Sequence, residues 1–501
     1  MDAMFLPLFV AVPMAAAFII PFLAKLRQRS ADLVANIAGT VLMGTSVYGV
    51  ALLATGAPTL VYRMGGWSPV LGITLVYDPL TALVSLSLNL VGFAALLFSV
   101  RYLDSYTGRW KFYTLFMLVL AGLNGVVVTG DIFNLFVFIE ISAVASYALV
   151  AFGTDFDELE AGFKYMVIGE IGGMALLLAI AVLYARASSL NMAVVSQVLA
   201  AAGQTPLFWF IIATFLIGFA VKMAMVPFHA WLPDAHPSAP APVSALLSGV
   251  FIKVLGVYAM SRVMFNVFGL SRANAAPFFN LLLSFGVLSI LAGGLLAYNQ
   301  KDYKRLLAYS SISQIGYILI GLGLGNYWGI VGALFHLLAH GLGKGLLFLT
   351  AGSVEHETGT RDLDKLSGLE KSMPATAWSY LAGSLSLAGV PPFAGFFSKL
   401  FIIVGALAAR MYWLAILAAL FSTVTLGYLI KVVNKAFFGR QGAEPTKARE
   451  SPATMVMAML FLVIVTLAAG IGFKPLLDWL VGPAAQVLLN GLGYAKTVLG
   501  G

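Results

Sequence analysis

Apolar stretches of spanning length recur from one end of this chain to the other. They limit the possible folds more than any other feature. About fourteen of them meet the requirement of roughly 20 apolar residues for a helix that crosses a bilayer. They predict an all-α polytopic membrane protein of about 14 transmembrane helices. Only 10% of the 501 residues are charged, against about 25% in a soluble domain. The net charge of +8 lies in short loops beside the spans, so it does not point to nucleic acid. There is no cysteine, which excludes Cys-ligated iron–sulfur clusters, CxxC redox motifs and disulfides. No GxGxxG fingerprint and no Walker loop is present. The expectation is a chain without a cofactor, a metal or a redox centre of its own. The N-terminal run MDAMFLPLFVAVPMAAAFIIPFLA lacks a basic n-region, so it is read as a first span and not as a cleaved signal.

Four parts are expected. Residues 1–111 form an N-terminal three-helix segment, and 112–262 a first five-helix repeat. Residues 277–436 form a second five-helix repeat, and 437–501 a last helix and tail. The longest polar connections are 355–373 and 439–450. The loops at 24–31, 101–111, 153–164, 299–305, 355–373 and 435–450 carry the larger share of Lys and Arg. Positive loops stay in the cytoplasm, so both termini are expected outside. The repeat itself is faint. DIFNLFVFIEISAVASYALVAFG from Asp131 and DYKRLLAYSSISQIGYILIGLG from Asp302 both open on Asp. Both then place a polar residue at one offset (Glu140, Ser311) and Ser two further on (Ser142, Ser313). Each is followed by a proline-broken span, VPF at 226–228 and VPPF at 390–393. Two five-helix units of this kind would be inverted relative to each other.

The charges inside the spans carry the functional reading. A lysine at mid-membrane costs roughly 2.5–3.5 kcal/mol on insertion scales, and Lys222, Lys253, Lys344, Lys399 and Lys431 all fall inside spans. Glu140, in NLFVFIEISAVASYALV, needs a partner, and Lys222 is the candidate because it precedes the break at Pro227. Proline opens the helical ladder, and open backbone at membrane depth lines wet cavities. A desolvated lysine can be charged or neutral, so the pair reads as a proton switch. The other reading of Glu140 is a neutral acid bonded to a helix carbonyl. Lys253 reads as a relay or as a lysine that snorkels to an interface. His336, His340 and Lys344 at i, i+4, i+8 share one helix face, as a relay or as a structural pair; the HExxH glutamate of a zinc site is missing. Lys399, the last residue of GVPPFAGFFSK and thus just after the second break, reads as the counterpart of Lys222 and as the exit. Glu170 is an accessory acid whose partner is a lysine, Lys222 or Lys253, or a proton. Asp131 reads as a helix cap. Lys431 reads as snorkelling towards cytoplasmic headgroups. His229, Asp234 and His236 lie in the broken connection, for proton uptake or for turn formation.

These residues carry a resemblance. GFAVKMAMVPFHAWLPDAHPSAPAPVSALLSGVFIKVLGVY resembles the signature of the antiporter-like subunits of respiratory complex I, of Mrp-type sodium/proton antiporters (their Mrp D component) and of membrane-bound hydrogenases. GDIFNLFVFIEISAVASYALVAFG is more similar to the Mrp and hydrogenase branch. KRLLAYSSISQIGYILIG, HLLAHGLGKGLLFL and GVPPFAGFFSKL extend the likeness over nearly the whole chain. The resemblance implies fourteen helices in two inverted five-helix repeats, with helices 7 and 12 discontinuous. It implies roles in a proton path for Glu140, Lys222, Lys253, His336, His340 and Lys399, and it leaves Glu170 without a family role.

The expected function is a proton-translocating, antiporter-like subunit of a multisubunit ion-pumping complex in the cell inner membrane. Its partners would be other membrane subunits, protons and the lipid bilayer. Whether such a complex is an enzyme, a redox-driven translocase of the NADH:quinone oxidoreductase kind, stays open. One alternative is the Mrp D component of a sodium/proton antiporter without a redox partner, with Na+ as the exchanged ion. An alternative of another class is a structural membrane subunit that moves no ions. A solute symporter working alone is disfavoured by the lack of ligand groups.

Overall fold

The structure is a computed structural model, and it describes residues 2–27, 29–439 and 448–500. Most of the polar stretch 439–450 therefore lies outside the described residues. Among the described residues twelve helices are long and apolar enough to cross a membrane. Two further apolar stretches are broken into half-helices. Counting each broken stretch once gives the expected fourteen.

Three helices open the chain: α1 (Leu8–Leu26), α2 (Ser30–Ala54) and α3 (Pro79–Tyr102). Between α2 and α3 runs a hairpin that the hydrophobic pattern did not reveal. Its strands, β1 (Leu60–Arg63) and β2 (Thr74–Tyr77), pair antiparallel with Leu60 opposite Tyr77. Strands of four residues are too short to declare a period of two, which is why they escape notice between two spans.

The next five elements are α4 (Arg109–Val128), α5 (Ile132–Val150), α6 (Phe156–Ala187), a short α7 (Met192–Ala202) and α8 (Pro206–Lys222). After a break come the short α9 (Leu232–Ser238) and the fully buried α10 (Ala241–Val267). Three stretches of α10 are wound as π-helix: Leu247–Phe251, Lys253–Tyr258 and Arg262–Val267. Then follow α11 (Ala276–Asn299), α12 (Tyr303–Leu324) and α13 (Tyr327–Thr358). The second broken stretch is α14 (Pro374–Ala388) with α15 (Ala394–Ala408). The chain continues through α16 (Tyr412–Phe437) and α17 (Ala453–Ile471). The Gly-rich end is helical over most of 473–499 and buries Leu480, Val481, Ala484, Ala485 and Leu488.

One shift relates α4–α6 to α11–α13. Helices α6 and α13 have 32 residues each, and their ends differ by 171 (156 to 327, 187 to 358). Asp131 and Asp302 differ by the same 171, and each caps its helix. Asp131 Oδ1 accepts from the Asn134 N–H at 2.8 Å, and Asp302 Oδ1 accepts from the Arg305 N–H at 2.8 Å. Asp131 bridges to Asn191 and Asp302 to Asp362.

The two breaks obey a second shift of 165. Met225 N–H donates to Ala220 O and Val390 N–H to Leu385 O, while Phe228 N–H donates to Met225 O and Phe393 N–H to Val390 O. Ala224 (φ 55°) and Gly389 (φ 85°) hold the same left-handed turn. The connection before the second break is thus six residues shorter, and it lacks α7.

Candidate proton-path residues

Helix α8 ends on Lys222, where the chain turns through Ala224. The last carbonyls of a helix have no partner within it and carry negative partial charge. Here Val221 O accepts from Trp231 Nε1 at 3.1 Å, so the returning chain covers the open end. The Lys222 ammonium, buried at this end, donates to Glu140 Oε1 of α5 at 3.1 Å. The Glu140 side chain keeps 20% of its exposure. Glu170 of α6 does not meet a lysine: among the described residues it has no ion pair, and it lies against Glu140. The contact follows from helix packing. Gly173, one turn beyond Glu170, lets Glu140 approach so closely that an added Cβ would stand 2.6 Å from Glu140 Oε1.

Lys253 sits in the π-wound part of α10. The wide ladder turns carbonyls towards its side chain, and its ammonium donates to Ser248 O and to Gly249 O, the latter at 2.7 Å. Single π-turns recur at functional sites. Lys344, on α13, donates to Leu307 O at 2.7 Å and to Ser310 Oγ of α12. The His336 and His340 rings are parallel, with centroids 5.7 Å apart. Ser398 Oγ stands 2.8 Å from His336 Nδ1. No described residue hydrogen-bonds His336 Nε2 or either ring nitrogen of His340. Buried polar atoms without protein partners are ordinarily met by ordered water.

Lys399 corrects one expectation. By the shift of 165 its counterpart is Asp234, not Lys222, because it lies on the half-helix after the break. Its ammonium nevertheless reaches back to the end of the half-helix before the break. It contacts Ala388 O at 3.4 Å and Ser422 Oγ at 3.3 Å, over the Tyr317 ring at 4.6 Å. Lys399 therefore places its charge at the carbonyl end of a first half-helix, whereas Lys222 is the last residue of one and gives its charge to Glu140. That end is the favourable one for a cation.

Asp234, on α9, is held by Lys164 at 3.4 Å and Arg305 at 2.5 Å. These groups line a polar cavity of about 280 Å³ together with Asp157, Glu160 and Arg361. His229 is half-buried in the break. His236 is fully buried against Phe348, with ring centroids 4.7 Å apart. Lys431 donates to Tyr298 O and Gln300 O at 2.8 and 2.9 Å, at the end of α11.

Two ion pairs, one buried on both sides and one on its lysine side, were not legible in the sequence. Lys304 pairs with Glu355 at 2.6 Å, and Arg262 with Asp78 at 2.7 Å. Their members stand at span ends, where a charge looks like a loop residue. The serines that touch the lysines and His336 were missed too. Serine is common in membrane helices and gives no signal by itself.

The fold and this row of buried lysines and histidines define the class, and comparison with known proteins agrees. Residues 129–425 match the family model described as NADH:quinone oxidoreductase/Mrp antiporter, TM. The chain belongs to this family. It is similar to the N-type subunit of the NADH-quinone oxidoreductase of Desulforudis audaxviator, at 38% identity over 84% of this chain and 88% of that one. It is also similar to the D-type subunit of the Na(+)/H(+) antiporter of Alkalihalophilus pseudofirmus, at 33% identity over 92% and 94%. A chain in the structure of the Mrp complex from Dietzia sp. superposes with a TM-score of 0.91, at 30% identity over 99% of both chains.

Proposed function

We propose that this chain translocates protons as one membrane subunit of a multisubunit ion-pumping complex. The observation that carries the reading is the Glu140–Lys222 pair at a helix break, continued by buried cations that have no carboxylate partner. Among the described residues neither Lys253, Lys344 nor Lys399 forms an ion pair. A permanently charged ammonium without an anion is expensive at this depth, whereas one that gives up and regains a proton is useful. Protons enter at Glu140 and Lys222, with Glu170, His229 and Asp234 as accessory groups. They cross through Lys253, Lys344, His340 and His336, and leave by Lys399.

Partner subunits are supported by the partly exposed Glu140 carboxylate, which lipid cannot hydrogen-bond, and by the likeness to a chain of the Mrp complex. Subunits with names of both redox and antiporter type are relatives, so exchange against Na+ without a redox partner is retained as a second reading. Loop charge supports both termini on the outer side of the cytoplasmic membrane. The shift of 171 supports the division into repeats at 112–262 and 277–436. The test is proton uptake by the reconstituted complex carrying Glu140→Gln or Lys399→Ala. Both variants should assemble and fail to transport. Unchanged transport in both returns the chain to a purely structural role.

A further inference from the structure

Helices α10 and α12 touch through two hydroxyls. Ser248 Oγ and Ser311 Oγ are 2.6 Å apart, and both residues are fully buried. One belongs to the first five-helix unit and the other to the second. We propose that this serine pair is the proton relay between the two units, joining Lys253 to Lys344; the inference rests on the proton-path reading above.

Ser311 stands 171 residues after Glu140, so it occupies in the second copy the place of the carboxylate in the first. Lys344 stands 171 after Gly173, the residue against which Glu140 packs. Where one copy sets a carboxylate against a glycine, the other sets a hydroxyl on the carbonyl, Leu307 O, that also holds a lysine. The substitution has a chemical sense. A carboxylate there would pair with Lys344 and hold its charge in place. A hydroxyl accepts a proton on one lone pair and releases its own, so it conducts without storing charge.

Leu307 O accepts from Ser311 Oγ at 2.9 Å and from Lys344 Nζ at 2.7 Å. One carbonyl thus holds both groups together. At the other end the Lys253 ammonium rests on the backbone carbonyl of Ser248, the residue whose hydroxyl begins the bridge. With Ser311 donating to Leu307 O, Ser248 donates to Ser311, and the Ser248 lone pairs are left to accept.

The transfer balances without any co-reactant. The Lys253 ammonium, swung from the Ser248 and Gly249 carbonyls that hold it, gives a proton to Ser248 Oγ, its N–H bond breaking as the O–H bond forms. Ser248 passes its own hydrogen to Ser311. The Ser311 hydrogen, swung from Leu307 O to the neutral amine of Lys344, forms the new N–H bond. Both serines end neutral, and one positive charge has moved from Lys253 to Lys344.

The experiment uses the whole complex in proteoliposomes, with proton uptake read by a pH-sensitive dye and assembly read by the yield of the intact complex. S248A and S311A should each lower uptake at least about tenfold, within the range for loss of a positioned proton-transfer group. The double variant should be no worse than either single one, because the two act as a unit. S311T keeps the hydroxyl and should restore most of the rate; S311T as slow as S311A would overturn the relay. If S311A does not assemble, S248A and S248T carry the same comparison. Native uptake in the double alanine variant, with Lys399→Ala inactive, would remove the relay and leave the proton path standing. Native uptake in the Lys399→Ala control as well would remove both.

Discussion

Lys222 ends one first half-helix and pairs with Glu140, while Lys399 reaches back to the carbonyl end of the other, where no carboxylate among the described residues meets it. A fixed cation at that end is satisfied equally by arginine, but a group that must release a proton is not, since guanidinium stays protonated. Lys399→Arg is therefore expected to assemble normally and to lose proton uptake as completely as Lys399→Ala. Native uptake by the arginine variant would mark Lys399 as a structural charge. A control for exposed charge lies outside the membrane. Lys435 and Lys301 beside Asp364 hold its carboxyl down at about 2, from an ordinary 3.8. Its folded-state value is depressed, so its contribution is present above pH 3.8 and is lost as the pH falls towards 2. The pair is open to water and screened, so Asp364→Asn should leave the melting temperature and uptake at neutral pH unchanged. The deep charges were legible because a lysine or glutamate in an apolar run contradicts its surroundings. Ser248, Ser311 and Ser398 contradict nothing, and only the packing of the helices gives them partners. Glu170 was visible as a deep acid, but its contact with Glu140 depends on Gly173 and on how α5 lies against α6.

At the scale of elements, the broken helices were readable from VPF and VPPF, since proline cannot continue the ladder. The π-winding of α10 and the short hairpin were not, having no spacing rule of their own. The left-handed turn is filled by Ala224 in one break and by Gly389 in the other. A side chain in that region costs roughly 1–2 kcal/mol. An added Cβ at Gly389 would also stand 3.1 Å from Lys399 Cδ and 3.3 Å from Ser422 Oγ. Gly389→Ala should therefore destabilise the chain by about 1–2 kcal/mol and lower uptake by displacing Lys399. Ala224→Gly should instead be neutral or stabilising. Thermal melting of the two variants side by side checks the pair, and equal melting would contradict the assignment of the turn.

At the scale of the whole molecule, the fourteen-helix count was within reach of the sequence because length and hydropathy fix it. The shift of 171 was only hinted at by Asp131 and Asp302. It became measurable once α6 and α13 proved equal in length. The face beside Glu140 and Glu170 exposes Val144 and Met174 at 58% and 69%. Lipid gives a partly exposed carboxylate nothing to bond with, so this face is expected to be covered in the assembly. The native chain has no cysteine, which makes labelling clean. Val144→Cys and Met174→Cys should react with a membrane-permeant maleimide in the isolated subunit and be protected in the complex; equal labelling in both would place lipid on this face. If the buried charges move protons, the assembled complex carrying Lys222→Ala takes up protons only at background while its yield stays normal; native uptake by that complex would show that the charges do not carry them.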